Sequence, residues 1–421
     1  MFVHTAPIPV KIVYLLFGLL ALMIIYQPIT TLNFALPDDE WMVLKDPLVS
    51  SLKFDVTYFK KLFTTYNSLQ FSPVNTLWYA LIYKIHGFDA YWFHIGSFGL
   101  HCINIYLIYK LICKLLSDLS CDNASLIAMQ ASIIWAIHPL NVETVVWISS
   151  SKMLLMTGFG IFSLLMVLEF FRNRKFIHYI LAILSFIAAN LCKEQAVLFP
   201  LFIYAVIFIY PGKQFLINKS RMAIETMSFL VLSVLFGLLA ADAQHTAIGQ
   251  DAPLSNYPLV ERLFFSFYCL IFYLAKTILP MNLHYHYDYP MKPGEPLPLM
   301  LYVFPVITVA IVAGLFHIVK KSKNRLTYLL FTLFAIIHLA LCLQIVPLRR
   351  PAMLADRYMY LPGVGIWVML AAYFHEHKGK FLKFRLIQAA VVLLAVGYLF
   401  FMIYTSHKLV INWQNLNRNH L

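Results

Sequence analysis

Charge is what this sequence has least of. Only 12% of its 421 residues are Asp, Glu, Lys or Arg, while 61% are hydrophobic. Soluble domains carry about 25% charged residues, so a water-soluble chain of this composition could not cover its surface with polar groups. A bilayer removes that need, because a spanning helix is about 20 mostly apolar residues. Acids are scarcer than bases, 19 against 32, for a formal net charge of +13. That excess sits in short clusters between apolar runs, as in cytoplasmic loops, and argues against a nucleic-acid partner. The six cysteines include no CxxC pair, and most read as small buried hydrophobes. There is no fixed-period repeat, no low-complexity tract, no GxGxxG and no phosphate-binding GxxxxGKS/T, so nothing marks a nucleotide-driven motor.

What the sequence does have is twelve apolar segments, near 9–27, 95–116, 123–138, 152–171, 176–192, 195–210, 222–241, 258–280, 298–319, 326–347, 358–374 and 385–405. They predict one all-α polytopic membrane domain over 1–421. The first segment has only Lys11 before it and no small-x-small cleavage site close behind, which favours a retained span over a removed signal peptide. Region 28–90 differs: it is more polar, broken by Pro28, Pro37, Pro47 and Pro73, and reads as a long first outer loop. Within it Val56 to Phe63 mixes aromatics with Lys60 and Lys61, as either an interfacial helix or a solvated loop helix does.

Four basic clusters set the orientation: Arg172, Arg174 and Lys175; Lys213, Lys219 and Arg221; Lys320, Lys321, Lys323 and Arg325; and Lys378, Lys380, Lys383 and Arg385. All four are expected inside. The 28–90 loop, the loop after Ile137, the loop around Lys193 and a short tail at 406–421 are then outside. An odd number of crossings is needed between Arg221 and the segment at 298, yet two apolar segments lie there. Segment 258–280, flanked or entered by Glu261, Arg262 and Lys276, is therefore expected to be re-entrant or interfacial, giving 11 spans rather than 12.

Polar residues at membrane depth, or just outside it, are costly and are the default functional candidates. Asp38-Asp39-Glu40 follows the first span. A carboxylate there can take a proton from an attacking hydroxyl, and two adjacent carboxylates raise one another's pKa; the alternative is a solvated acidic turn after Pro37. Asp38 is favoured as the base over Asp39. His138-Pro-Leu-Asn-Val-Glu143-Thr-Val-Val-Trp147 ends a helix at the outer edge, and His138 and Glu143 suit a sugar, a hydroxyl or a divalent ion such as Mg or Mn, or else a plain helix break. Lys193-Glu194 interrupts two apolar segments, as a tight turn also would. Arg349, Arg350 and Arg357, beside Asp356, Tyr358 and Tyr360, violate the positive-inside pattern, which guanidinium forks on a phosphate would explain as well as headgroup anchoring would. His284-Tyr-His286-Tyr-Asp288 reads as a metal-ligand pattern or a wet aromatic belt, and His94, His101 and Asn104 share one helix face as ligands or as bundle-interior polar groups.

These motifs, in this order along nearly the whole chain, resemble the GT-C superfamily of polyprenyl-phosphate-sugar glycosyltransferases. They resemble most the membrane half of the transmembrane-and-tetratricopeptide O-mannosyltransferase family and its bacterial relatives. The residues that carry the resemblance are Asp38-Asp39, Phe93-His94 through His101 and Asn104, His138 to Trp147, Lys193-Glu194 with Pro200, Leu279-Pro280 to Tyr287, and Asp356-Arg357-Tyr358-Met-Tyr360-Leu-Pro362. The chain departs from the pattern at Phe71-Ser-Pro-Val74, where relatives carry Tyr-Arg-Pro-Leu. It departs again at Ser151 and Met153 on either side of Lys152, where relatives carry Arg and Asp, and at Ser97 in place of Asn. It ends at Leu421, where relatives continue into helical repeats, so no repeat domain is expected.

The resemblance implies a GT-C-type bundle of about 11 helices with an outward-facing site and an aspartate base. The reaction it implies is inverting transfer of mannose or a similar hexose from an undecaprenyl- or dolichyl-phosphate donor. The acceptor would be a protein hydroxyl, a glycan or a lipid. The catalytic set is then Asp38, Asp39 and Glu143, and the substrate-binding set His94, His101, His138, Lys152, Lys193, Glu194, Arg349, Arg350, Arg357 and Tyr358. The remaining readings are a transporter or flippase of lipid-linked sugars and a non-catalytic scaffold of the same fold. The Ile, Phe and Lys content suggests a bacterial inner membrane, with the site facing the periplasm.

Overall fold

The computed structural model describes residues 10–35, 38–65, 71–210, 218–245, 256–284, 286–346, 352–381 and 385–418. Among these residues the fold is helical, and the only extended pairing is an isolated antiparallel bridge between Tyr287 and Leu354. The first span is α1 (Val10–Tyr26), followed by α2 (Pro47–Ser50), α3 (Val56–Thr64) and α4 (Pro73–His86). Next come α5 (Ala90–Asp118), α6 (Ala124–Ala136), α7 (Val142–Val146), α8 (Ser151–Asn173), α9 (Phe176–Asn190) and α10 (Phe199–Ile209). The second half holds α11 (Lys219–Glu225), α12 (Met227–His245), α13 (Leu259–Ile278), α14 (Val303–Lys321), α15 (Arg325–Leu339), α16 (Pro362–Phe381) and α17 (Arg385–Arg418).

All twelve apolar segments are helical. Among the described residues seven helices are long and apolar enough to cross a membrane, and the bent pair Ala124–Ala136 with Pro139–Val146 would make an eighth. α9 and α10 are apolar but short. α13 has the length, 20 residues, but carries Glu261, Arg262 and Lys276 and is not among the seven. The spans bury as little as 6% of their apolar window in the protein. Leucines exposed along α1, α12 and α17 therefore face what would be lipid, where helices satisfy their own backbone groups.

The first outer loop differs from its expectation. The 56–63 stretch is helical, as expected, with Asp55 capping it by accepting from Tyr58 N at 2.7 Å. A second helix, α4, lies beyond it and buries Asn75, Thr76, Tyr79, Ala80 and Ile82. Its polar inward positions hide it from a hydropathy reading, because Asn75 and Tyr79 meet Ser151 of α8 at 3.0 and 2.9 Å. The departure at Ser151 is thus a packed contact between α4 and α8. Further along, α16 lies against α15 closely enough that a Cβ on Gly365 would sit 2.5 Å from the Phe331 carbonyl oxygen.

The charged turns gather at one end of the bundle. Arg172 pairs with Asp118, Arg174 grips both oxygens of Glu225 at 2.7 Å, and Lys323 reaches Asp122 at 2.6 Å. Glu376 accepts from Ser322, Lys323 N, Asn324 and Tyr328. The other end holds Asp39, Ser149, Glu143 and Arg357. Lys152 and Arg172 bracket α8, so about 30 Å separates the two ends at 1.5 Å per residue. Trp413 of α17 lies against Trp147 at that second end. Cysteines placed at Ser50 and Lys321 of a cysteine-free chain are therefore expected to label from opposite sides of a sealed vesicle with an impermeant maleimide. Labelling of both from one side would break this two-ended arrangement.

Candidate active site

The site is built on a broken helix. Pro139 has no N–H to donate and stops α6, which leaves the last carbonyls of α6 to be satisfied by side chains. Asn141 Nδ2 donates to Trp135 O at 2.6 Å, His101 Nε2 to Ala136 O at 3.2 Å, and Ser406 Oγ to Ile137 O at 2.8 Å. The chain then reverses through short helical turns at 139–141 and 148–150, with α7 between them, before α8 starts at Ser151. Nearly every residue of this reversal is buried. One end of it meets Asp39 and its middle meets Arg357.

Asp39 is fully buried. Its Oδ2 accepts from Ala35 N at 2.7 Å, and its Oδ1 accepts from Ser149 N at 2.8 Å and from Ser149 Oγ. Burial outweighs these donors and pushes its pKa up to about 6, with a smaller contribution from the neighbouring Asp38 carboxylate. Asp38 itself is half-buried, beside the enclosed Asp39. Between them the two acids divide their work: Asp39 ties the first outer loop to the 148–150 turn, and Asp38 remains accessible. A raised folded pKa means that the native state holds the proton longer than the unfolded chain, so this contribution to stability is lost as pH rises from about 4 through about 6. The stability advantage of the wild type over Asp39→Asn is expected to shrink by up to about 3 kcal/mol between pH 4 and pH 7. Thermal unfolding of both chains in detergent across that range checks it, and a constant gap would contradict it.

The cations lie close by. Lys152 Nζ, in the first turn of α8, contacts Met42 Sδ at 3.8 Å. It stands within electrostatic reach of Lys193, Glu194, Asp38 and Arg357. Lys193 is nearly buried, with Nζ 3.9 Å from Glu194 Oε1, a loose pair. Arg357 is held from two sides. Its backbone N donates to Glu143 Oε2 at 2.8 Å and its guanidinium pairs with Oε1. Its Cζ also lies 4.9 Å from the Trp147 ring centroid and 5.1 Å from that of Tyr358. Glu143 therefore has both oxygens engaged by Arg357. The carboxylate that the sequence suggested as catalytic thus lies with both its oxygens against Arg357.

Asp356 is buried beside this pair and accepts from the Tyr287 hydroxyl at 2.9 Å. Burial, with the Glu143 carboxylate nearby, holds it well above the usual carboxylate range. Tyr287 entered the sequence reading only as the end of the Leu279 to Tyr287 stretch, without a role of its own, and Ser149 not at all. Tyr287 sits among other tyrosines and histidines, and Ser149 is one of three consecutive serines, so neither carries a distinguishing signal.

His94, His101 and His138 lie buried among the helices. His101 accepts at Nδ1 from Tyr360 OH at 2.8 Å, and Asn104 Nδ2 donates to the same hydroxyl at 3.2 Å and to Leu154 O at 2.9 Å. Trp135 Nε1 donates to Tyr360 O at 2.6 Å. This buried knot fixes the Asp356–Tyr360 turn against α5, α6 and α8. His138 donates to Thr277 O at 2.9 Å and accepts from Leu140 N at 3.2 Å. His94 is buried, with Nε2 3.4 Å from Asn33 O. His101 and His138, expected to bind substrate, thus have both ring nitrogens engaged by the protein.

Among the described residues no group of three or more His, Cys, Asp or Glu side chains gathers as a metal ion requires. His138 and Glu143 are fully engaged, and His286 meets Asp288 at 3.1 Å as a pair on an exposed loop. Arg349 and Arg350 lie outside the described residues.

No protein-family model matches the chain. In sequence it is 25% identical over 362 residues to a protein O-mannosyl-transferase of Caenorhabditis elegans, covering 84% of this chain and 49% of that protein. In fold it is similar to the oligosaccharyltransferase of Archaeoglobus fulgidus, solved with a tethered acceptor peptide that contains an NVT sequon. The TM-score is 0.52 at 12% identity, over 95% of this chain and 55% of the other. The likeness to the solved structure is one of fold, a bundle of apolar, membrane-length helices. It spans about half the length of each of these two proteins.

Proposed function

We propose that the chain transfers a hexose from a polyprenyl-phosphate carrier to an acceptor hydroxyl, on a protein or a glycan, at the outer face of the membrane. One observation carries this reading: a half-buried carboxylate, Asp38, and three cations, Lys152, Lys193 and Arg357, cluster at the end of the bundle remote from the basic turns. A lipid carrier would reach that end with its tail in the bilayer and its phosphate among the cations. Asp38 takes the proton of the acceptor hydroxyl. The oxygen then attacks the anomeric carbon from the face opposite the phosphate and forms the new C–O bond. The bond from carbon to phosphate oxygen breaks with its electron pair, inverting the carbon, and the added negative charge on the departing phosphate is stabilised by Lys152, Lys193 and Arg357. The basic turns at the opposite end follow the pattern of cytoplasmic loops, which supports an outward site.

The test is a purified, reconstituted chain given radiolabelled dolichyl- or undecaprenyl-phosphate mannose, with release of the free polyprenyl phosphate as the readout. Release that depends on the chain and on an added acceptor supports transfer. Movement of intact donor across the bilayer without release would reject it in favour of a transporter.

A further inference from the structure

The last helix ends against the site. α17 runs for 34 residues, and its first half is exposed, with Leu393, Leu394 and Phe400 at 72%, 74% and 69% accessible. Further along, Met402, Ser406 and Val410 are fully buried and Trp413 nearly so. Steps of four, four and three residues place these side chains on one helical face. That face meets the rim of the site. Ser406 Oγ donates to Ile137 O at 2.8 Å, the carbonyl exposed where Pro139 stops α6. His407 Nδ1 donates to Ile24 O at 2.8 Å, near the end of α1. Trp413 then lies 6.2 Å from Trp147, tilted by 49°, and Trp147 carries the Arg357 guanidinium 4.9 Å from its centroid.

We propose that Trp413 is a positioning residue: by packing on Trp147, the end of α17 holds the indole on which Arg357 rests and so sets where that cation meets the donor phosphate. The phosphate role rests on the function proposed above; the mechanical link from Trp413 to Arg357 does not. Glu143 fixes one edge of the guanidinium by charge and hydrogen bonds. The Trp147 ring fixes its plane, and Trp413 keeps that ring from turning. The centroid separation of 6.2 Å lies within the range over which aromatic pairs attract. A catalytic group displaced by about 1 Å can lose about 100-fold in rate, so a residue that touches no substrate can still govern turnover.

A simple anchoring role for Trp413 makes a different prediction. Tyr398 also anchors α17, its hydroxyl donating to Ile278 O at 2.7 Å, but it lies four turns before Trp413 along the helix. The experiment treats the full chain in detergent with phenylglyoxal, which modifies arginine, and follows each arginine by mass spectrometry. Arg357 should react about fivefold faster in Trp413→Ala than in the wild type once the ring pair is gone. Arg262, which donates to Ile345 O at 2.9 Å elsewhere, should not change. Trp413→Phe should restore the slow rate and Tyr398→Phe should leave it slow. Trp413→Leu keeps apolar bulk without the ring and should behave as the alanine variant does, which preserves the test if the alanine chain does not fold. An unchanged Arg357 rate in the folded alanine or leucine variant would overturn the proposal, as would an equal rise in Tyr398→Phe. This readout needs no turnover, so a chain that transfers no sugar would reject the proposed function and leave this test standing. In an active chain, Trp413→Leu should lower kcat about tenfold with a smaller change in donor KM, because Arg357 acts on the charge of the departing phosphate.

Discussion

Asp38→Asn is expected to lower sugar transfer by about 100- to 10,000-fold while the protein keeps its fold, because loss of a general base costs that much. Asp38 is accessible beside an enclosed neighbour, so its amide should sit in the same place without disturbing packing. Asp39→Asn should behave differently. Both Asp39 oxygens accept from donors, namely Ala35 N, Ser149 N and Ser149 Oγ. An amide turns an NH2 toward at least one of them. Leaving a buried donor without its acceptor costs about 1–3 kcal/mol. The expected signature is a lower unfolding temperature together with a smaller, indirect loss of activity. Turnover and Tm measured side by side for the two variants separate the roles. If Asp39→Asn abolishes transfer at normal stability while Asp38→Asn stays active, Asp39 is the base.

The second large effect is expected at Arg357. Lysine keeps the charge but has neither the planar fork nor the flat face that lies over Trp147 and Tyr358. If Arg357 stabilises the leaving phosphate, Arg357→Lys should lose about 100-fold in turnover, comparable to removing one preorganised donor. A membrane anchor would tolerate lysine, and near-normal donor KM and kcat in a folded Arg357→Lys chain would assign it that role. Glu143→Gln tests the other side of the pair. Its carboxylate is buried and holds the guanidinium and the backbone N–H of Arg357. Removing that charge takes from a largely buried cation the carboxylate that hydrogen-bonds it, at a cost of about 3 kcal/mol. The glutamine variant should therefore lose both stability and activity. An active, stable Glu143→Gln chain would mean that the ion pair does not set the position of Arg357.

The membrane class and the helices were legible in the sequence because both depend on local sums. An apolar stretch of spanning length must satisfy its own backbone, so each of the twelve segments became a helix wherever the others lay. The basic turns were legible for the same reason: each is a few adjacent residues, and the structure joins Arg172, Arg174, Lys323 and their acids at one end. The presence of Asp38, Lys152, Lys193 and Arg357 in motifs was also visible. Their division of labour was not. Sequence could not separate enclosed Asp39 from accessible Asp38, since that depends on Ser149, 110 residues away. Nor could it show that both Glu143 oxygens engage Arg357, a partner 214 residues on. His101 and His138 looked like ligands because a histidine in an apolar run is costly. Only packing revealed that Tyr360, Ala136, Thr277 and Leu140 satisfy their nitrogens. α4 escaped notice because its inward positions are polar toward Ser151. Hydropathy sums over neighbours along the chain, whereas a polar group's role is decided by which distant atoms the packed helices bring within about 3 Å of it.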